Sequence, residues 1–188
     1  MTLFEFVTVI ISMVLALATG QLLAGLAALA KNRGRVRPFT PFFLWAFQLF
    51  TLPINLWWSQ WDFRDLNWTF PTFWYVLLGP TILFFAVSLF LPDDPGGREI
   101  DLERHYWSVR PVFFAVLLGY VGLTWLDGPL LAGDHLFGNV GRLNAVLVGC
   151  IVASLLTTHR RVHLVASVVA AAVFPFLLLY RFIPGVGA

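Results

Sequence analysis

The side chains able to do chemistry in this chain are sparse, and the densest run of them sits in one stretch. Gln48, Thr51, Asn55, Ser59 and Asp62 share a sector of about 80° when about 100° is allowed per helical residue. Earlier in the chain, Thr8, Ser12 and Thr19 fall in a second, thinner stripe, with Glu5 just beyond its edge and Leu15 bordering it. Amides and hydroxyls on one face of an apolar helix have two uses. They can line a water-filled route, or they can hydrogen-bond one helix to another. Left without partners in hydrocarbon, each would cost several kcal/mol. Antiparallel pairing of the two stripes would set Ser12 and Asn55 at comparable depth.

Other chemistries find less support. A serine-nucleophile motif, an HExxH zinc motif and paired carboxylates at depth are all absent from the sequence. Asp93 and Asp94 are adjacent, but they lie in a Pro/Gly-rich turn. The ionisable groups Glu5, Asp62, Arg64, Asp65, Asp127, Asp134, Arg142 and Arg181 fall near segment ends, and Glu5 and Arg64 are placed to pair. A proton- or sodium-coupled carrier with a midplane carboxylate is therefore not expected, and neither is an arginine-repeat voltage sensor. His105, His135, His159 and His163 also lie near ends, which disfavours haem held between helices. His159 and His163 have i,i+4 spacing and can hold a metal if their turn is helical, but beside Arg160 and Arg161 they read better as interfacial residues. Cys150 is the one cysteine and reads as a small packing residue. No cofactor is implied, and the chain is not expected to be an enzyme.

Those groups must be positioned by elements of an unusual composition. The 188 residues are 59% hydrophobic and 12% charged, with a mean hydropathy of +0.82. A typical soluble domain is roughly 45–50% apolar and about 25% charged. The expectation is an all-α polytopic integral membrane protein, with about six transmembrane helices and a short cytoplasmic surface helix. The spans are read at about 3–30, 38–61, 73–91, 111–126, 142–158 and 162–182, with the surface helix at about 98–110. All belong to one domain, since no polar stretch is long enough to fold alone. The first span lacks a basic n-region and is about twice the usual length of a signal-peptide core, so it reads as a retained helix. Gly20, Ala24 and Ala28 form a small-residue ridge on it, of the kind that packs helices closely in lipid. Gln21 points away from the polar stripe and needs a partner of its own.

Breakers punctuate the remainder. Pro53 and the Gly79-Pro80 pair predict kinks, and residues 92–97 (PDDPGG) predict a stop. Residues 127–141 read as a loop able to dip into the interface, and the THRRVH connection makes the last two spans a hairpin. Trp57, Trp58, Trp61, Trp68 and Trp74 cluster around the turn near Asp62, Arg64 and Asp65, which fits an interfacial aromatic belt.

Orientation follows from the basic residues. Lys31, Arg33, Arg35, Arg37, Arg98, Arg104, Arg110, Arg160 and Arg161 follow the odd spans, against Arg64, Arg142 and Arg181 on the other side. This bias places the odd loops in the cytoplasm and both termini outside, in a cell membrane of the bacterial inner-membrane type. Within the bias, Arg104, Arg110, Arg160 and Arg161 are candidate contacts for lipid headgroups. The net charge of +2, spread over short loops, gives no basis for nucleic acid binding.

Three functions remain in view. The leading one is a small channel or transport protein, oligomeric, with a polar route along the first two helices. Its candidate residues are Thr8, Ser12, Thr19, Gln48, Asn55, Ser59 and Asp62. The alternative is a non-catalytic accessory or scaffold subunit of a membrane complex, in which the same stripe acts as glue. The weakest is a lipid-modifying enzyme using the cytoplasmic Arg/His cluster. The expected partners are membrane lipid and either further copies of the chain or another membrane protein.

Overall fold

The computed structural model describes residues 2–93, 99–132 and 139–182. Six α-helices account for most of them: α1 (Leu3–Lys31), α2 (Thr40–Ser59), α3 (Phe70–Phe90), α4 (Leu102–Asp127), α5 (Asn139–Leu156) and α6 (Arg160–Phe182). Arg98, most of the turn-rich stretch 92–97, and residues 133–138 with Asp134 and His135 lie outside the described residues. α1, α3 and the stretch Leu102–Leu131 are long and apolar enough to cross a membrane.

The helix starts are written locally. Thr2 and Glu5 form a capping box at α1, with the Thr2 hydroxyl accepting from the Glu5 amide and the Glu5 carboxylate accepting from the Thr2 amide. Thr69 caps α3 by accepting from the Thr72 amide. Asp101 caps α4 through the Arg104 amide at 2.9 Å. Pro41 sits in the first turn of α2, where its missing N–H costs nothing. Both α2 and α3 run on through their internal prolines, Pro53 and Pro80.

The connection between α3 and α4 departs from the sequence reading. No separate surface helix covers the described part of 98–110. Residues 102–110 are instead the opening turns of α4, which passes through Pro111 without a break. Pro111 forfeits only the hydrogen bond to the Trp107 carbonyl, and the aromatic packing on both sides of it holds the helix together. At its far end α4 does not stop near Leu126. It continues into a π-helical turn, Gly128–Ala132, in the region read as loop. A second unforeseen element is a minimal parallel bridge of two two-residue strands, β1 (Val36–Arg37) and β2 (Ile100–Asp101). It ties the α1–α2 connection to the start of α4, and an Arg37–Glu99 ion pair lies beside it.

The helices close into a ring in the order α1, α3, α4, α5, α6, α2, with α2 also reaching α3 and α4 across the middle. The contacts fix their directions. Gln21 and Gly25 of α1 meet Ser88 and Leu91 at the end of α3, so α1 and α3 run the same way. Phe39, just before α2, lies under Arg160 at the start of α6 and beside Tyr106 in the first turns of α4. α2, α4 and α6 therefore run together, opposite to α1 and α3. One end of the ring is rich in arginine; the other carries the tryptophan-rich turn.

Aromatic rings fill the arginine-rich half of the centre. Phe42 stacks on Phe90 at 4.4 Å between centroids, and Phe90 meets Phe113 at 4.8 Å. Trp45 packs edge-on against Phe114 at 5.0 Å, and Tyr106 against Phe39 at 5.2 Å. All seven of these side chains are buried. The other half is closed by aliphatics, among them Leu49, Leu52, Leu56, Leu83, Leu117 and Val121.

The Gly20–Ala24–Ala28 ridge, read as a packing seam, is exposed on the outside of α1. The glycine that admits a neighbour is Gly25, where an added Cβ would lie 2.6 Å from Leu91 Cδ2. Gln21 finds its partner in Ser88, whose hydroxyl is 3.0 Å from Gln21 Oε1 and 2.9 Å from the Phe84 carbonyl. One hydroxyl proton serves only one of the two. Turning the Gln21 amide lets its NH2 donate to Ser88 while Ser88 donates to Phe84.

Candidate functional site

The polar face of α2 is graded rather than uniform. Gln48 and Thr51 are buried, Asn55 and Ser59 are half-buried, and Asp62, in the 3-10 turn that follows α2, is exposed. Its hydroxyls are spent locally: Thr51 donates to the Gln48 carbonyl at 2.9 Å and Ser59 to the Leu56 carbonyl at 2.8 Å. The α1 stripe behaves the same way. Thr8 donates to Phe4 and Ser12 donates to Thr8, at 2.8 and 2.7 Å. Thr19 is half-buried. A hydroxyl that bonds back to its own helix is satisfied without water or a second helix.

α1 and α2 are joined by a side chain outside the α2 stripe, and not through Asn55. The Trp57 indole N–H donates to Ser12 Oγ at 3.1 Å, so Ser12 both donates and accepts. The sequence places Trp57 in the interfacial belt. Helical spacing sets it on the other side of α2 from the polar sector, about 160° from its centre, and the approach of α1 brings its N–H to Ser12. Arg64, read as a partner for Glu5, is 3.2 Å from Asp65 and lies over the Trp61 ring.

Not every polar group inside is satisfied. Trp45 Nε1, Gln48 Oε1, Gln60 Oε1 and Ser154 Oγ are buried with no hydrogen-bond partner among the described residues. Trp45 and Gln48 are three residues apart on α2, so a donor and an acceptor lie on one helix face. Such groups mark either a tolerated cost or a place where polar matter can sit.

The most completely built polar cluster lies at the arginine-rich end, and the sequence reading missed it. His163, 0% exposed, has its Nδ1 2.7 Å from the Tyr106 hydroxyl and its Nε2 2.9 Å from the Thr157 carbonyl. A carbonyl only accepts, so Nε2 carries the proton and the Tyr106 hydroxyl donates to Nδ1. Arg110 donates to the same Thr157 carbonyl and stacks over Trp107. Trp107 in turn lies edge-on to His163 at 4.6 Å. Four parts of the chain converge here: the start of α2, the opening turns of α4, the α5–α6 connection and the first turn of α6. The i,i+4 spacing of His159 and His163 suggested a metal pair, but His159 is exposed and both His163 nitrogens are engaged. The signal that could have found the cluster is aromatic density in HYWSVR, read against a histidine at the start of another helix.

The four candidate headgroup arginines divide in two. Arg110 is committed to Thr157 and Trp107. Arg160 pairs with Glu103 at 3.4 Å and lies over Phe39 at 5.5 Å. Arg104 and Arg161 are exposed and make no ion pair among the described residues. His105, at the same end, is 3.0 Å from the Phe90 carbonyl through Nε2 and so caps the end of α3.

Comparison with models of protein families, with curated proteins and with solved structures yields no match. The function must therefore be argued from this arrangement alone.

Proposed function

We propose that this chain is a six-crossing membrane protein of the cell membrane, with the arginine-rich end in the cytoplasm and both termini outside. We propose further that it acts as a non-catalytic accessory or scaffold subunit of a membrane complex. The observation that carries this reading is the filled centre of the helix ring. Seven buried aromatic side chains occupy the place a pore would need, and the Thr8, Ser12, Thr51 and Ser59 hydroxyls bond to their own helices. In lipid the hydrophobic effect does not drive helices together, so close packing must do it. Aromatic pairs contribute about 0.5–1.5 kcal/mol each beyond area burial, which suits a rigid core that presents its outer surface to partners. The exposed Trp57, Trp58, Trp61, Phe70 and Trp74 would lie at the outer interface.

A second reading, a small channel or transport protein with a polar route along α1 and α2, is kept by one observation. Gln48 Oε1 and Trp45 Nε1 are buried on the same helix with no hydrogen-bond partner among the described residues. One experiment separates the readings. Full-length protein is reconstituted in liposomes loaded with small ions and neutral solutes. The scaffold reading expects leakage no faster than from protein-free vesicles. It also expects a photo-crosslinker at position 61 or 74 to give one discrete complex in native membranes. Flux that falls when Gln48 or Asn55 is changed to Leu would favour the route and overturn the scaffold.

A further inference from the structure

The outer face of the α5–α6 hairpin carries a groove of about 430 Å³ that neither reading above uses. Its walls are Gly149, Cys150 and Ala153 on α5, and Val165, Ala166 and Val169 on α6, with Arg161 at its arginine-rich end. We infer that this groove is a binding site for an anionic glycerophospholipid, with one acyl chain lying along the hairpin and the headgroup phosphate on Arg161.

Four observations converge on that occupant. The walls are apolar and their small residues leave a trough; an added Cβ at Gly149 would meet nothing within 4 Å. At the roughly 30 Å³ that a water occupies, the groove holds about fourteen heavy atoms, the scale of a single acyl chain. From Arg161 to Val169 it runs about 12 Å along the helix at about 1.5 Å per residue. The third observation is charge. Arg161 is exposed and makes no ion pair among the described residues, whereas the adjacent Arg160 is held by Glu103 and Phe39. A guanidinium forks onto phosphate oxygens with two parallel hydrogen bonds. Lastly, α6 begins at Arg160, so the same corner carries the positive end of a helix dipole. A lipid satisfies the apolar trough and the cation together, as basic pockets between helices on the cytoplasmic side do.

The inference rests on the membrane location proposed above and is independent of whether α2 conducts anything. The test uses full-length protein in nanodiscs. The probe is a phosphatidylglycerol carrying a photoactivatable diazirine on its acyl chain, and labelled peptides are identified by mass spectrometry. Failure to enter nanodiscs at all would count against the membrane location. With the protein incorporated, the groove is judged by the labelling pattern. The expected result is label concentrated at 146–153 and 162–169 and displaced at least fivefold better by unlabelled phosphatidylglycerol than by phosphatidylcholine of the same chains. Arg161→Gln should reduce labelling several-fold through the loss of charge, and Gly149→Leu should do so by filling the trough. Both sites are on the surface, and an unchanged melting temperature shows that each variant is folded. Equal displacement by the two lipids would mean ordinary boundary lipid and would overturn the site. So would labelling unaffected by Arg161→Gln, or Cys150–Cys150 crosslinking between copies that excludes the label.

Discussion

Tyr106→Phe removes one oxygen and tests the cluster that joins four parts of the chain. The Tyr106 hydroxyl is 2.7 Å from His163 Nδ1, and the two residues are 1% and 0% exposed. Removing the hydroxyl leaves a buried acceptor with no donor, because Nε2 keeps the ring's proton for the Thr157 carbonyl. An average interhelical hydrogen bond in a membrane contributes only about 0.6 kcal/mol. The penalty here should be larger, about 1–3 kcal/mol, since the loss strands a desolvated group instead of merely breaking a bond. At about 2–4 °C per kcal/mol for a chain of this size, the melting temperature should fall by about 2–12 °C. The second half of the argument is a double-mutant cycle with His163→Leu. That change also costs stability alone, but the Thr157 carbonyl retains Arg110 as a donor. The Tyr106→Phe/His163→Leu double variant strands neither group, so it should cost clearly less than the sum of the singles. The assay is thermal unfolding of detergent-solubilised full-length protein followed by tryptophan fluorescence. A Tyr106→Phe protein that melts within about 1 °C of the parent, or strict additivity in the cycle, would refute the assigned tautomer and the tie itself.

Other variants test other parts of the interior. Gln48→Leu replaces a buried carbonyl oxygen that lacks a partner, so under the scaffold reading stability should hold or rise by up to about 1–3 kcal/mol; a loss of more than about 1 kcal/mol would mean that the amide is bonded. Gly25→Ala adds about 1 kcal/mol of helix propensity but drives a Cβ to 2.6 Å from Leu91, an overpacking worth about 1–3 kcal/mol. It should be neutral to destabilising in the parent and stabilising in a Leu91→Ala background, and thermal melts of the four proteins read the reversal directly. Trp57→Phe removes the donor to Ser12 at a half-exposed site; because Ser12 retains its bond to Thr8, the expected loss is below about 1 kcal/mol, and a larger one in the same melts would give the α1–α2 contact more weight than the geometry does.

Much of the fold was legible residue by residue, and the reasons are local. Long apolar runs bounded by Pro, Gly and charge locate α1 and α3, because a helix in an apolar medium must satisfy its backbone within itself. The stripe on α2 was legible too, since 100° periodicity is a property of one helix. Where the reading failed, two signals competed. Pro111 after a polar stretch suggested a boundary, but proline forfeits only one hydrogen bond, and packing by Tyr106, Phe113 and Phe114 on either side outweighs that loss. Gly20, Ala24 and Ala28 had the spacing of a packing seam, yet spacing does not say which face of a helix its neighbours will cover.

By itself, then, the sequence determined the helical class, the rough placement of the long apolar helices, and which faces carry polar groups. These are set by composition and by periodicity within a single element. Only the tertiary structure decided who meets whom. Helix order in the ring sends α1 to α3 and α2 to α6, so α2 meets Ser12 of the α1 stripe through Trp57, on the other side of α2 from its own stripe, and not through Asn55. It also brings Phe39, Tyr106, Thr157 and His163 to one point across most of the chain's length, and leaves Arg161 without an ion pair among the described residues while Arg160 finds Glu103. No pattern in one helix encodes such pairings, because they are settled by the packing of aromatic volume among six helices at once.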